Sequence, residues 1–481
     1  MRRVFASNLI LLLAINAIVK PLYLFGIDLG VQNAVGTDEY GMYMTWFSFA
    51  FLFGVIYDLG LQNYNAVTLA KTPELLRQRL PLMLSLKLAL SLVYALVVLA
   101  AAYFLDANVR ELQLVSLAVV YHACLSILQL LRTNLGAQGS YQFNSVVSVV
   151  DRLLLILVVG SLLLNPAWHD WVTIELFFVA QIIALLITIG VAISGTYLSE
   201  GQRWWSTDSL EVGSLLKQSL PYGLGLLLST VFTRIDMVML EQMLEEGYHT
   251  TGVYAASFRL LDGVNMVGYM FATLLIPMLS KLVEAKAPAR PLLQQAAGYM
   301  AAFSVGVAVF TMFNADEIMA LLYKDSTSDW SVVLQWLIWA SVSIGLTYVY
   351  GSFLLSHQKI AAINWMFFAG LVLNIVLNYL LIPTHGALGA AIATVATQGL
   401  VVSLQWWLSS RILKNEPSSG RWWSLPLYLI GCLLVGYGIH LVGFGLVLAL
   451  LLQISVCLAL GLATGLLADI FALLKSRVAG S

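Results

Sequence analysis

The chain alternates between long apolar stretches and short polar breaks. A helix needs about 20 predominantly apolar residues to cross a bilayer. Fourteen stretches reach that length. Six lie at 6–31, 38–62, 79–105, 109–134, 139–163 and 171–198, and six more at 219–244, 250–279, 292–314, 331–356, 360–382 and 386–411. The last two lie at 423–442 and 444–470. The pattern predicts an all-α integral membrane protein with about 14 transmembrane helices.

The pattern also repeats. Adding 214 to the first six stretches reproduces the second six to within about eight residues. The same shift lays Lys20 on Arg234 and Tyr40 on Tyr254. Each unit has an even number of spans, so both units start on the same side of the membrane. That is a parallel repeat, with a pseudo-two-fold axis along the membrane normal. The expected organisation is an N-lobe over 1–198, a linker over 199–218, a C-lobe over 219–412 and two further helices with a tail over 413–481. Within the linker, cap residues Thr207 and Asp208 precede Leu210, Leu215 and Leu216 at helical spacing. It reads as a helix lying on the inner surface, with an ordinary loop as the alternative.

Charge orients the spans. Seventeen Lys and Arg residues fall on the side of the termini, and only Arg110 and Lys324 on the other. Cytoplasmic loops carry the excess of Lys and Arg, so both termini are expected in the cytoplasm. The first apolar run is too long for a signal peptide and is read as a retained span. Overall, 60% of residues are hydrophobic and 10% charged, with a mean hydropathy of +0.87. Soluble chains carry about 25% charged residues. The formal net charge of −1 gives nucleic acid nothing to bind. Cys124, Cys432 and Cys457 all lie in apolar segments without a CxxC pair, so neither a disulfide framework nor a metal site is expected.

Five cations fall inside spans: Lys20, Lys87, Arg152, Arg234 and Arg259. A central Arg or Asp costs about 2.5 to 3.5 kcal/mol on insertion scales, so it marks a wet cavity or a partner. Lys87 lies roughly 12 Å from the cytoplasmic end of its span at 1.5 Å per residue. It fits either snorkelling or a site. Arg259 and Asp262 are three apart and can pair on one face. Arg152 and Asp151 are adjacent and point about 100° apart, whereas Arg234 and Asp236 share no face. Around Lys20, positions 16, 17, 23 and 24 hold Asn, Ala, Tyr and Leu, so it has no local acid. Lys20 and Arg234, with Arg152 and Arg259, are therefore the candidate anion-binding residues. Guanidinium geometry suits a phosphate or diphosphate. The alternative for Lys20 and Arg234 is pairing with Asp28, Asp58 or Asp236. Asp28, Asp58, Asp236 and Asp262 are also the candidate carriers if transport is coupled to sodium or protons. The embedded amides, such as Asn374 and Asn378, read as helix–helix glue.

No Walker A, GxGxxG, HExxH or GxSxG motif is present. No enzyme activity, cofactor or ATP-driven pumping is therefore expected. An integral-membrane glycosyltransferase would need a large loop or an acidic cluster at one face. Only Asp316, Glu317, Asp325 and Asp329 keep that reading open.

Four stretches resemble a known family. They are VGTDEYGMY at 35–43, DLGLQ at 58–62, TRID with TGVYAASFRLLD over 233–262, and NIVLNYLLIPTHGALGAAIAT at 374–394. Together they resemble the Wzx-type polysaccharide flippases of the MOP superfamily, which includes the MATE transporters and the lipid II flippase. Spans thirteen and fourteen resemble the lipid II flippase branch. The resemblance implies two six-helix lobes around a cationic cavity. It implies an undecaprenyl-diphosphate-linked oligosaccharide turned across the bacterial inner membrane by alternating access, for O-antigen, capsule or exopolysaccharide synthesis. Implied partners are the lipid-linked substrate, membrane lipid and a polysaccharide polymerase or chain-length machinery, with the flippase acting as a monomer. The competing reading is a MATE-like cation-coupled antiporter, which would show unpaired acids and aromatics in its cavity.

Overall fold

The computed structural model describes residues 15–16, 18–62, 64, 73–138, 140–196, 209–416 and 423–467. Among these residues there is helix and no strand. The first helix, α1, is Leu29–Val35, running on from a π-helical turn over Tyr23–Asp28. α2 is Thr37–Leu52 and α3 the single turn Val55–Asp58. Then come α4 (Pro73–Phe104), α5 (Val109–Ala137), α6 (Tyr141–Leu164) and α7 (Ile174–Ser194). α8 (Ser209–Met243) and α9 (Gly247–Glu284) follow, then α10 (Arg290–Phe313). The remainder are α11 (Ala315–Leu322), α12 (Ser328–Leu337), α13 (Ala340–Ser356), α14 (Ile360–Ile412), α15 (Ser424–Val442) and α16 (Leu446–Ala463).

Eleven segments of the described residues, counting α12 with α13 as one, are long and apolar enough to cross a membrane. α14 holds two of the expected spans. Gly386 breaks it at φ 54°, ψ −131°, three residues after Pro383. Glycine tolerates that backbone, and the proline leaves the turn before the break one N–H short. The two other expected spans are the first, which begins outside the described residues, and α2, which is 16 residues long and continues through α3. The fold is thus an all-α multi-pass membrane protein. The expected surface helix falls partly outside the described residues at 199–208, and from Ser209 the chain is one continuous helix to Met243.

By its contacts the chain forms two compact units, Met1–Gly252 and Val253–Ser481. In the first, α5 packs on α4 and α7, α6 packs on α7 and on the π turn, and α8 lies along α2. Its core joins Leu80, Met83, Leu128, Leu131 and Leu185, all nearly inaccessible. In the second, α13 packs on α10 and α14, and α15 packs on α10 and α16. Two apolar clusters fill it, one around Leu279, Met300 and Phe353, the other around Val309, Tyr428 and Cys432.

The residues aligned by the 214-residue shift have similar settings. Tyr40 is buried and donates to Asp28 Oδ2 at 3.0 Å. Tyr254 is buried and shares a hydrogen bond with Thr394 Oγ1, also 3.0 Å. Each ties the start of its helix to a different helix.

Candidate functional site

Helix irregularity builds the site in the first unit. Pro21 follows Lys20 and has no N–H to give to the preceding turn. Just beyond it, Tyr23–Asp28 winds as a π-helix, a form that often marks functional segments. This turn packs on α6. The Arg152 guanidinium of α6 stacks 4.3 Å from the centroid of the Tyr23 ring. Its own neighbour Asp151 reaches it only at 3.5 Å. Asn16 Nδ2 donates to Ser148 Oγ at 3.0 Å, fixing the helix start to α6 one turn from Arg152.

Lys20 is half-buried. Arg132 of α5, Arg152 and Asp151 all act electrostatically on its ammonium. Arg132 is half-buried too, with Nε donating to Asn144 Oδ1 at 3.3 Å. Lys20 thus feels the charge of two cations from two other helices, and that of one acid, Asp151. Like charges in a poorly solvated place raise each other's free energy, and an anion between them relieves it. Such a group offers positive charge to a phosphate-like anion. Among the described residues no cluster of three or more His, Cys, Asp or Glu could hold a metal ion.

Apart from Asp28, which ends the same π turn, the remaining candidates lie elsewhere. Arg234 belongs to α8 of the first unit, is half-buried, and its charge reaches His122 of α5. Asp236, two residues on, is 2% exposed. Asp28 accepts from Tyr40, as above. Asp58 is held by Lys87 at 2.5 Å, with 3% and 0% of the two side chains exposed. The Lys87 ammonium also donates to the Ser126 hydroxyl at 2.5 Å and carbonyl at 3.3 Å. All three of its N–H donors are spent, so Lys87 does not snorkel to the cytoplasmic face. Arg259 lies in the second unit, 3% exposed, and donates to the Tyr323 hydroxyl at 2.5 Å. Tyr323 in turn donates to the Ala256 carbonyl at 3.2 Å, one turn before Arg259. Asp262 sits on the same helix, half-buried.

One end of the first unit, around Arg110 and Tyr248, is rich in acidic residues. Arg110 forms a bidentate pair with Glu39 at 2.8 and 2.6 Å and reaches Glu175 at 3.0 Å. Tyr248 donates to Glu111 at 2.5 Å and receives the Trp46 indole N–H at 3.2 Å. A cavity of about 600 Å³ beside it is lined by Asp38, Glu241, Glu245, Glu246 and His249 among others. Here α2 crosses the start of α9 at backbone contact. A Cβ on Gly41 would strike the Tyr248 carbonyl, and one on Gly252 would strike Thr37. At the other end of α8 the same holds for Gly60 and Gly223.

Sequence comparison places this arrangement. The model of the polysaccharide biosynthesis protein family matches residues 5–283, more than half of the 481 residues. The chain belongs to the polysaccharide biosynthesis protein family. A second model, MatE, matches residues 221–380 of this family member. No curated protein matches it in sequence. Among solved structures, the lipid II flippase MurJ in its inward closed conformation superposes with a TM-score of 0.72 at 14% identity, covering 96% of this chain and all (100%) of that one. An inward-facing multidrug resistance MATE family transporter of the MOP superfamily gives 0.63 at 13% identity over 82% and 96% of the two chains. A MOP superfamily transporter from Pyrococcus furiosus, described as having a binding pocket of reversed polarity, gives 0.60 at 16% over 86% and 95%. The resemblance to MOP superfamily flippases therefore rests on a family match as well as on a shared fold.

The family match contains Lys20, Arg132, Arg152, Arg234, Arg259 and the four candidate acids. Of these cations, the sequence pattern assigned Arg132 to the inner rim, because an apolar count ends the fourth span at 134. α5 of this polysaccharide biosynthesis family member instead runs on to Ala137. The available signal was Asn144, a polar residue inside the next span that receives the Arg132 N–H.

Proposed function

We propose that the protein is a flippase that carries an undecaprenyl-diphosphate-linked oligosaccharide from the cytoplasmic to the outer leaflet of the bacterial inner membrane. The observation that supports this reading is that the charges of Arg132 and Arg152, with that of Asp151, act on Lys20 inside the spans of a polysaccharide biosynthesis family member. An excess of positive charge there selects an anionic cargo, and the diphosphate is the anionic part of such a lipid. Arg234 adds its charge from α8, while the polyprenyl tail stays in lipid. Arg259 is the candidate anion-binding residue of the second unit. Movement is by alternating access. Coupling to a sodium or proton gradient falls to Asp28, Asp236 or Asp262 before Asp58, because Asp58 already holds the Lys87 ammonium. The chain moves its cargo without chemical conversion and works as a monomer with both termini in the cytoplasm. It hands the lipid-linked unit to a polymerase outside.

The test replaces Lys20 and Arg234 by Ala, singly and together, confirms membrane expression, and measures surface glycan. Glycan export should fall in each single variant and be lost in the double. Normal export from the double variant would sink the reading. The MatE match over 221–380 favours a second reading, a cation-coupled antiporter of small molecules. Altered drug sensitivity with unaltered glycan in the same variants would support it instead.

A further inference from the structure

The two C-terminal helices hold a feature that anion transport does not use. α15 and α16 form an antiparallel pair joined by a turn at Gly443–Gly445. Cys432 lies 11 residues before this turn and Cys457 12 residues after it. At 1.5 Å per residue both sit roughly 17 Å from the turn, about half the depth of the hydrocarbon core. Equal depth on facing helices brings the sulfurs to 3.6 Å, at van der Waals contact. Cys432 is wholly inaccessible and Cys457 partly exposed. One turn before Cys457 on α16, Gln453 Nε2 donates to its sulfur at 3.5 Å. One turn before Cys432 on α15, Tyr428 donates to the Ala302 carbonyl of α10 at 2.9 Å. A Cβ on Gly306 of α10 would lie 3.1 Å from the Cys457 sulfur, so the dithiol is seated where three helices meet.

We propose that Cys432 and Cys457 are a redox modification site, oxidised to a disulfide by a membrane quinone. A disulfide needs its sulfurs about 2.05 Å apart, so they must close by about 1.5 Å. The step balances. Two S–H bonds break, one S–S bond forms, and the two protons and two electrons reduce the quinone to the quinol. The depth of the pair decides the oxidant. Glutathione and other water-borne thiols keep cytosolic cysteines reduced, but they do not enter hydrocarbon. Quinones reside there. Oxidation would join α15 covalently to α16 and fix both against α10.

The test uses the full chain in lipid vesicles treated with decyl-ubiquinone, whose fully substituted ring leaves no position for thiol addition. After quenching and denaturation, free thiols are counted with a mass-adding maleimide. The wild-type chain has three cysteines, Cys124, Cys432 and Cys457. The count should fall from three to one with quinone and return to three with reductant. In Cys432→Ser and in Cys457→Ser it should stay at two under both conditions. In Cys124→Ser, in the other unit, it should fall from two to none. Three labelled thiols after quinone would overturn the proposal. So would a loss of thiols that appears only in cross-linked dimers, since the bond would then be between chains.

Discussion

The Arg152 guanidinium stands 4.3 Å from the Tyr23 ring centroid, while its closest carboxylate oxygen, on Asp151, is 3.5 Å from Nε. The ring face holds the cation without neutralising it. A carboxylate at good hydrogen-bonding distance would instead have spent it. Replacing Tyr23 by Phe should therefore leave transport near wild type, because the ring face remains. Replacing it by Ala should cost about 1 to 2 kcal/mol of Arg152 positioning, roughly 5- to 30-fold. Arg152→Lys keeps the charge but loses the planar stack, and should fall between Tyr23→Phe and Arg152→Ala. Initial rates of flipping in vesicles rank the four variants. Equal rates for Tyr23→Phe and Tyr23→Ala would show that the stack does not matter.

The Lys87–Asp58 pair makes the opposite case. Both side chains are buried, at 0% and 3% exposure, so neither charge has water to turn to if its partner goes. Removing one partner of such a pair typically costs about 3 to 5 kcal/mol, while replacing both by apolar groups of similar volume is often neutral. Lys87→Met and Asp58→Leu should each lower the thermal midpoint and the yield of folded protein, and the double variant should recover most of both. A double variant that is stable and still transports would assign the pair to structure. One that is stable but inert would return Asp58 to the list of coupling carriers.

Glycines at helix crossings separate packing from flexibility. Gly41 and Gly190 are both inside helices, yet a Cβ on Gly41 meets the Tyr248 carbonyl whereas nothing stands within 4 Å of one on Gly190. Gly41→Ala should overpack the α2–α9 crossing and cost about 1 to 3 kcal/mol. Gly190→Ala should be neutral or stabilise by up to about 1 kcal/mol, since Ala is the better helix former. Thermal unfolding in the same detergent compares the two. Because the Gly41 contact closes the crossing of α2 with the start of α9, Gly41→Ala should also raise labelling of a cysteine introduced at Thr37.

The fold was legible because lipid allows few solutions. With no water to satisfy the backbone, each long apolar run must be a helix, and the alternation of Lys and Arg between sides sets the order. The sites were legible only by type. An embedded charge announces that a partner or cavity exists, but not which. Arg259 and Asp262 looked like a self-sufficient pair by spacing, whereas the Arg259 guanidinium also reaches Tyr323, 64 residues on. Lys87 and Asp58 are 29 residues apart and no local pattern links them. The fate of Arg132 depended on where α5 ends, and apolar counts fix helix ends least well. Long-range side-chain partners are set by tertiary packing, which periodicity does not encode.

Arg132 provides the sharpest check on the cationic group. As a residue of the cytoplasmic rim it would serve only to orient the fourth span, and its loss would leave Lys20 unaffected. As a member of the group, its charge acts on Lys20 together with that of Arg152. Residues that share a ligand or a field couple by about 0.5 to 3 kcal/mol in double-mutant cycles, while independent ones add. A ligand that binds only the folded chain stabilises it by RT ln(1 + [L]/Kd), about 2.7 kcal/mol at a hundredfold excess over Kd. Inorganic pyrophosphate should therefore raise the thermal midpoint of the wild-type chain, and less so as salt rises. Lys20→Gln and Arg132→Gln should each reduce that shift, and the double variant should lose less than the sum of the two. Sulfate at equal ionic strength should shift the midpoint less than the diphosphate. Strictly additive losses, or a full pyrophosphate shift in Arg132→Gln, would place Arg132 back at the rim and leave Lys20 and Arg152 as the whole of the group.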